Sequence, residues 1–185
     1  MFRRRLRPAY TEEQLQTVYA TPHDHRKWVD HHLRVDATIV LARWLAELKE
    51  VRTAADLSCG NGAILDAVPA ERKYYGDFAP GYDLTGPLEQ TLDQIPNVDL
   101  YICSETVEHL DDPDKVLAQL RQKARMLVLS TPIGEDNDHN PEHYWGWDTE
   151  AIGEMLATAG WRRGADMEVR LRPAFAYDYQ IWACL

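Results

Sequence analysis

Positive charge is scarce in this sequence. Its 185 residues hold 20 lysines and arginines against 30 aspartates and glutamates, a formal net charge of −10. Four of those arginines, Arg3, Arg4, Arg5 and Arg7, stand among the first ten residues, where there is no acid, so the rest of the chain is more acidic still. Such a body repels a phosphate backbone, which disfavours general nucleic-acid binding. The arginine cluster reads as a solvated, mobile tail, with a local phosphate contact as the other reading. Cysteine is also sparse. Cys59, Cys103 and Cys184 are widely spaced in apolar stretches and form no C-x-x-C pair. This argues against a cysteine metal site and for reduced packing cysteines in a cytoplasmic protein. No apolar run reaches bilayer-spanning length, and the basic N-terminus lacks an apolar signal core, so neither a membrane segment nor export is expected. Repeats and low-complexity linkers are missing. What remains, 45% apolar and 27% charged residues, is ordinary for one globular domain with room for a core.

The chain is organised around residues 54–65. Val51, Ala54, Ala55 and Leu57 supply a buried strand that includes Asp56. Ser58, Cys59, Gly60, Asn61 and Gly62 make a tight turn of small residues, and Ala63, Ile64 and Leu65 open a helix. Gly60 and Gly62 let the backbone bend and let a ligand approach where a Cβ would block it. The first N–H groups of the helix point at whatever sits above the turn. A dinucleotide fingerprint needs a third glycine where Leu65 stands, which counts against NAD.

Upstream, Thr11 and Gln14 fit a capping box for a short helix ending near Ala20, with a break over Thr21, Pro22, His23 and Asp24. From about Asp24 to Lys49 the pattern is helical, as one helix or two end to end. Trp28, Leu33, Val35, Ile39, Val40, Trp44, Leu45 and Leu48 trace its apolar stripe. His23, His25, His31 and His32 cluster at its start, but no cysteine or acid completes a tetrahedral zinc set. The alternatives are a polar helix face and a cap that offers Trp28, His31 or Arg34 to a substrate.

Downstream, a short helix over about Ala63 to Ala70 precedes a strand over Lys73 to Phe78. Asp77 stands where a βαβ unit places the carboxylate that receives ribose hydroxyls. Gly81 to Leu84 follows too soon for a full crossover helix, so a third strand there must be short. Val98 to Cys103 is a buried strand running into Ser104, Glu105, Thr106, Val107, Glu108 and His109. Asp112 and Pro113 cap a helix to about Lys123. Ala124 to Ser130 is another buried strand ending at Thr131 and Pro132, followed by a polar loop over Gly134 to Pro141. Asp148 caps a helix stopped by Gly160. Met167 to Leu171 and Phe175 to Cys184 close the chain as an antiparallel hairpin. This alternation predicts an α/β fold, a doubly wound, mostly parallel sheet with a ligand above the strand C-termini, where Asp56–Gly62, Asp77, Ser104–Glu105 and Thr131 emerge.

The acid at the strand end followed by small-x-Gly-x-Gly resembles motif I of the class I S-adenosylmethionine (SAM) methyltransferases, with Ser58 replacing the first glycine of D-x-G-x-G-x-G. The run from Ser104 to Pro113 resembles the E-x-x-E-H-x-x-D-P segment of many small SAM methyltransferases, including the O-methyltransferases of ubiquinone biosynthesis. The resemblance covers residues 51–185. It implies a Rossmann-like sheet of seven strands with a reversed last strand, an abbreviated third-strand edge and, over residues 1–50, a helical cap within one domain spanning 1–185. It implies SAM as cofactor and S-adenosylhomocysteine (SAH) as product. Ser58, Cys59, Gly60 and Gly62 would hold the methionine end, Asp56 would lie near the ammonium, and Asp77 would take the ribose. Asp83 and Leu84 would meet adenine, with Ser104 and Glu105 near the sulfonium. The acceptor expected is an O or N atom of a small molecule, with Glu105, His109 or His143 as base.

A narrower resemblance joins Glu105, Glu108 and His109 to the Glu142–Trp147 segment. Together they look like the metal site of the small-RNA 3′-terminal 2′-O-methyltransferases. It implies Mg or Mn on Glu105, Glu108, His109 and His143, acting on ribose at RNA ends. Glu142 and Gly146 depart from that family's D-H-x-F-E-W segment. A SAM- or nucleotide-binding module without catalysis is the reading from another class.

Overall fold

The computed structural model describes residues 1–21, 27–134 and 138–185. The break expected at Pro22, the histidines His23 and His25, and residues 135–137 of the polar loop lie outside these. In chain order come β1 (Arg3–Arg5), α1 (Glu12–Tyr19), α2 (Val29–Lys49), β2 (Thr53–Asp56), α3 (Ala63–Ala67), β3 (Arg72–Asp77), β4 (Leu84–Thr85) and α4 (Leu88–Thr91). They are followed by β5 (Val98–Ser104), α5 (Pro113–Lys123), β6 (Ala124–Ile133), β7 (Trp145–Trp147), α6 (Thr149–Thr158), β8 (Arg163–Val169) and β9 (Asp178–Cys184). Seven strands form one sheet in the order β4-β3-β2-β5-β6-β9-β8. The first five are parallel, and β9 enters antiparallel to β6 and β8. This is the expected Rossmann-like sheet with a C-terminal antiparallel hairpin and a two-residue third strand at its edge.

The central strands are buried on both faces, which is why they read as continuous apolar runs. Tyr101, Cys103, Leu127 and Leu129 pack with Val116, Leu120, Ile152 and Trp182 on one face. Leu100, Ile102, Met126 and Val128 pack with Leu41, Leu45, Leu65 and Ile181 on the other. Two of the three cysteines, Cys103 and Cys184, sit in this core, and all three are free thiols. No helix among the described residues is long and apolar enough to cross a membrane.

Local signals set most boundaries. Thr11 and Gln14 form the reciprocal capping box of α1. The carboxylates of Asp112 and Asp148 accept from Lys115 N and Ala151 N at the starts of α5 and α6. α3 ends at Ala67, earlier than expected, because Val68 already turns extended ahead of Pro69. The hairpin is displaced from its expected limits. Asp178 accepts the N–H groups of Leu171 and Arg172 at 2.6 and 2.9 Å, which draws Leu171 and residues 175–177 into the connection.

One expectation fails and another holds only in part. Arg3–Arg5 is no mobile tail: it pairs antiparallel with Trp145–Trp147. Its guanidiniums lie over the Trp145 ring, Arg3 at 4.9 Å and Arg5 at 5.3 Å, and pair with Asp114 and Asp111. The arginines thus use acids of the chain itself. The apolar stripe of α2 divides: Leu45 is buried and Val35 and Ile39 pack against the core, while the rest faces outward. Its buried face is Arg34, Thr38, Leu41, Ala42, Leu45 and Ala46, whereas Trp28, Val29, Leu33, Val40, Trp44 and Leu48 are exposed. Small Ala42 and Ala46 let the helix lie close on the sheet, with Leu41 and Leu45 filling the core beside them.

Candidate active site

The turn after β2 sits at the C-terminal end of the sheet. Asp56 is buried, and its Oδ1 accepts the Ser58 N–H at 3.0 Å and the Ser58 hydroxyl at 3.3 Å. Burial pushes the Asp56 carboxyl up to about 7 despite these bonds. Gly60 and Gly62 have φ of 54° and 78°, the left-handed region that favours glycine. A Cβ on Gly60 would meet nothing within 4 Å, so the turn has open space above it there. Asp77, at the end of β3, accepts the Gly60 N–H at 2.7 Å and the Ala79 N–H at 2.8 Å, locking the second strand end to the turn.

Other residues of this half differ in their surroundings. Ala63 N is capped by Asn61 at 3.1 Å, so the helix N–H groups expected above the turn are not all open. The Cys59 thiol is pushed up to about 12, mainly by burial. Asp83 is exposed, while Leu84 pairs with Gly76 and packs on the core. Tyr82, which the sequence did not single out, stacks on Tyr75 and donates to the Gly60 carbonyl at 2.9 Å.

The second half gathers after β5. Glu105 holds φ of 52°, a strained setting for a residue with a side chain. Its carboxylate accepts from Ser130 at 3.1 Å and lies 3.7 Å from the buried Arg34 guanidinium. Arg34 also donates to Ser104 at 2.7 Å, so Ser104 anchors the helix that carries Arg34. Burial raises Glu105 against the pull of Arg34. Glu108 is buried deeper. One oxygen accepts from Thr131 at 3.0 Å, and Thr131 in turn accepts the Trp147 indole N–H at 3.1 Å. The other, Oε1, is buried with no hydrogen-bond partner among the described residues. Burial, reinforced by the charge of Glu105, pushes Glu108 up to about 8.

Two imidazoles complete this half. His109 Nδ1 donates to the Glu142 carbonyl at 2.8 Å, and its Nε2 stands 3.8 Å from Glu108 Oε1. His143 Nδ1 meets Asp138 at 2.6 Å, and the two rings lie 4.9 Å apart, edge to face. Burial alone would lower His143, but the Asp138 hydrogen bond and the charges of Glu108 and Glu105 raise it overall. Asp138 also accepts the Tyr177 hydroxyl at 2.8 Å, tying the hairpin loop to the site. Donor atoms of Glu108, His109 and His143 lie within 4.8 Å of one another, whereas Glu105 stands outside this group. Ser58 and Thr106 share a hydrogen bond of 2.7 Å, which joins the two halves.

The sequence missed Asp138, Tyr177 and Tyr19. Tyr19 bonds Glu142 at 3.1 Å and packs on Phe78, so α1 reaches across from one half to the other. Of the residues offered to a substrate, Arg34 stands in the site and Trp28 is exposed.

Solved structures share this fold. The chain is similar to the 1,6-didemethyltoxoflavin-N1-methyltransferase of Burkholderia thailandensis, with 14% identity and a TM-score of 0.68 over 96% of this chain and 91% of that one. The N-methyltransferase NodS of Bradyrhizobium japonicum WM9 gives 14% and 0.68 over 94% and 96%. The chain has the fold of the class I methyltransferases. Magnesium protoporphyrin IX methyltransferase of Synechocystis PCC 6803, solved with SAM, gives 17% and 0.59 over 93% and 89%. The first two structures contain SAH. No family model matches the chain, and no curated protein matches it.

Proposed function

We propose that this chain is a SAM-dependent methyltransferase acting on an oxygen or nitrogen atom of a small-molecule acceptor. One observation carries the reading. A glycine turn with open space above it, flanked by Asp56 and Asp77, adjoins a group of Glu108, His109 and His143, with Glu105 beside it, at the same end of the sheet; Glu108 and His143 are buried and Glu105 and His109 partly so. SAM, when bound, supplies an electrophilic methyl group and leaves as SAH. The chain's share is placement of that methyl group and the acceptor. The Asp56 carboxylate takes the ammonium end, Asp77 accepts ribose hydroxyls, and Gly60 leaves the backbone exposed between them. His143 is oriented through Nδ1 by Asp138, which makes Nε2 the atom that receives an acceptor proton; Glu105 and His109 flank it. The small-molecule acceptor rests on charge, since a chain of net −10 disfavours a polyanion.

Calorimetric titration with SAH is expected to show stoichiometric binding that Asp56→Ala abolishes, and methyl-labelled SAM is expected to label a pool of small acceptors. Failure of SAH to bind overturns the reading. Tight binding with no transfer to any pool replaces it with a binding module.

A second reading has its own support. Glu108 Oε1, buried with no hydrogen-bond partner among the described residues, and two imidazoles each fixed through Nδ1 make a donor set that suits a divalent cation. Glu108, His109 and His143 would hold the ion. It would supply Lewis-acid activation of a bound hydroxyl, and the acceptor would then be a ribose diol at an RNA end. Manganese titrated into SAH-saturated protein decides between them. A stoichiometric heat lost in Glu108→Ala establishes the metal, and the absence of heat leaves metal-free transfer.

A further inference from the structure

The outer face of α2 carries an apolar seam that the fold leaves in water. Val29, Leu33, Val40, Trp44 and Leu48 follow one another at steps of four and seven residues along a 21-residue helix. They are large side chains, yet Val40 is 61% exposed, Leu48 58% and Trp44 42%. The opposite face already supplies the core contact through Leu41, Ala42, Leu45 and Ala46, so the seam is surplus to the fold of one chain. A continuous apolar seam rimmed by charge marks an interaction surface.

The charges along the rim say what covers it. Asp36, Arg43 and Glu47 flank the seam and are exposed. Arg43 and Glu47 pair within the helix at 3.6 Å, in a contact open to water and readily exchanged. Lay a second copy of α2 antiparallel against the first, with the two-fold axis beside Val40. Asp36 then faces Arg43 of the second copy, His32 faces Glu47 of the second copy, and Val40 meets its own mate. Leu33 falls near Leu48 of the second copy, closing both ends of the seam. A parallel pairing instead sets Asp36 against Asp36 and Glu47 against Glu47. The seam is therefore self-complementary in one orientation, the requirement of an isologous contact.

We propose that α2 is the interface of a homodimer formed by antiparallel, two-fold packing of its exposed face. The substitutions that test it lie on the surface and leave the core intact. Analytical ultracentrifugation at micromolar concentrations is expected to find a dimer. Val40→Glu and Trp44→Glu should each weaken it about thirtyfold or more. Asp36→Arg and Arg43→Asp should each weaken it, while the double variant D36R/R43D recovers it, because each new charge again meets its opposite across the axis. A wild-type monomer at those concentrations overturns the proposal, as does a dimer indifferent to Val40→Glu. A dimer lost in the single charge variants and not regained in the double one also overturns it.

Discussion

The two halves of the site are built in different ways. The half at β2 and β3 is local and open: one turn, one carboxylate at each strand end, and backbone groups near the surface. Its bonds span two residues, as in Ser58 to Asp56, or a single βαβ unit, as in Gly60 to Asp77. The half at β5 and β6 is assembled from distant segments and is buried. Glu108 meets Thr131, His143 meets Asp138, and Arg34 reaches Ser104 from another element. A ligand shared by many enzymes can be held by backbone and a few carboxylates. Chemistry particular to one acceptor needs side chains from distant segments fixed against one another; raised carboxyl groups occur in both halves, at Asp56 as at Glu105 and Glu108.

The sharpest break in this contrast is His143→Ala. It should lower turnover about 10²- to 10⁴-fold while SAH affinity stays near wild type, measured by methyl transfer and calorimetry on the same preparation. Loss of both would show that the halves are one unit. Next comes the reverse test, Gly76→Ala. A Cβ there would lie 2.7 Å from the Leu84 carbonyl and 2.9 Å from Leu57, so β4 must lift off β3. Stability should fall by about 1–3 kcal/mol in denaturant titration, with SAH binding weakened through the edge beside Asp77.

Two pH experiments sharpen the comparison further. Asp178, which closes the loop carrying Tyr177, is held down at about 2 because the Arg172 and Leu171 N–H groups and Arg170 outweigh the cost of burial. A lowered acid contributes stability that is complete above the unfolded-chain value of about 4 and is lost as pH falls toward 2. Wild type should lose about 1–2 kcal/mol across that window, and Asp178→Asn should lose less. In the open half the sign reverses, because burial raises Asp56 to about 7. An ammonium group favours its charged form, so SAH affinity should rise as pH climbs through about 7 and level off above it. Below that point it should fall by up to about tenfold per unit, a slope that Asp56→Asn removes. The smallest effect belongs to the clasp: Arg3→Ala with Arg5→Ala should cost about 1 kcal/mol or less, a change of about 2–4 °C in Tm.

The same contrast explains what could be read from the sequence. The strand, turn and carboxylate of the open half lie close together in the chain, and the mostly parallel sheet followed from alternation and buried apolar runs. Glu105, Glu108, His109 and His143 were recognisable as residue types in a segment, but their partners were not. Asp138 gains its importance from a loop that brings it to His143 and Tyr177. Nothing in its immediate neighbours signals this. Arg34 was one polar residue among several at a helix start until the fold buried it against Ser104. The arginine clasp was misread because its acids, Asp111 and Asp114, are over a hundred residues away. The stripe of α2 was legible only in part, because a helix apolar on two sides does not announce which side the sheet will take.

The contact from Trp147 through Thr131 to Glu108 has a use beyond architecture. An indole N–H pointing into a hydroxyl that points into a buried carboxyl makes the ring sensitive to the charge on that carboxyl. Trp147 is therefore a fluorophore wired to Glu108. Its emission should register the arrival of a cation, a proton or an acceptor at Glu108 without any label, and Thr131→Val should cut that wire while leaving the ring in place.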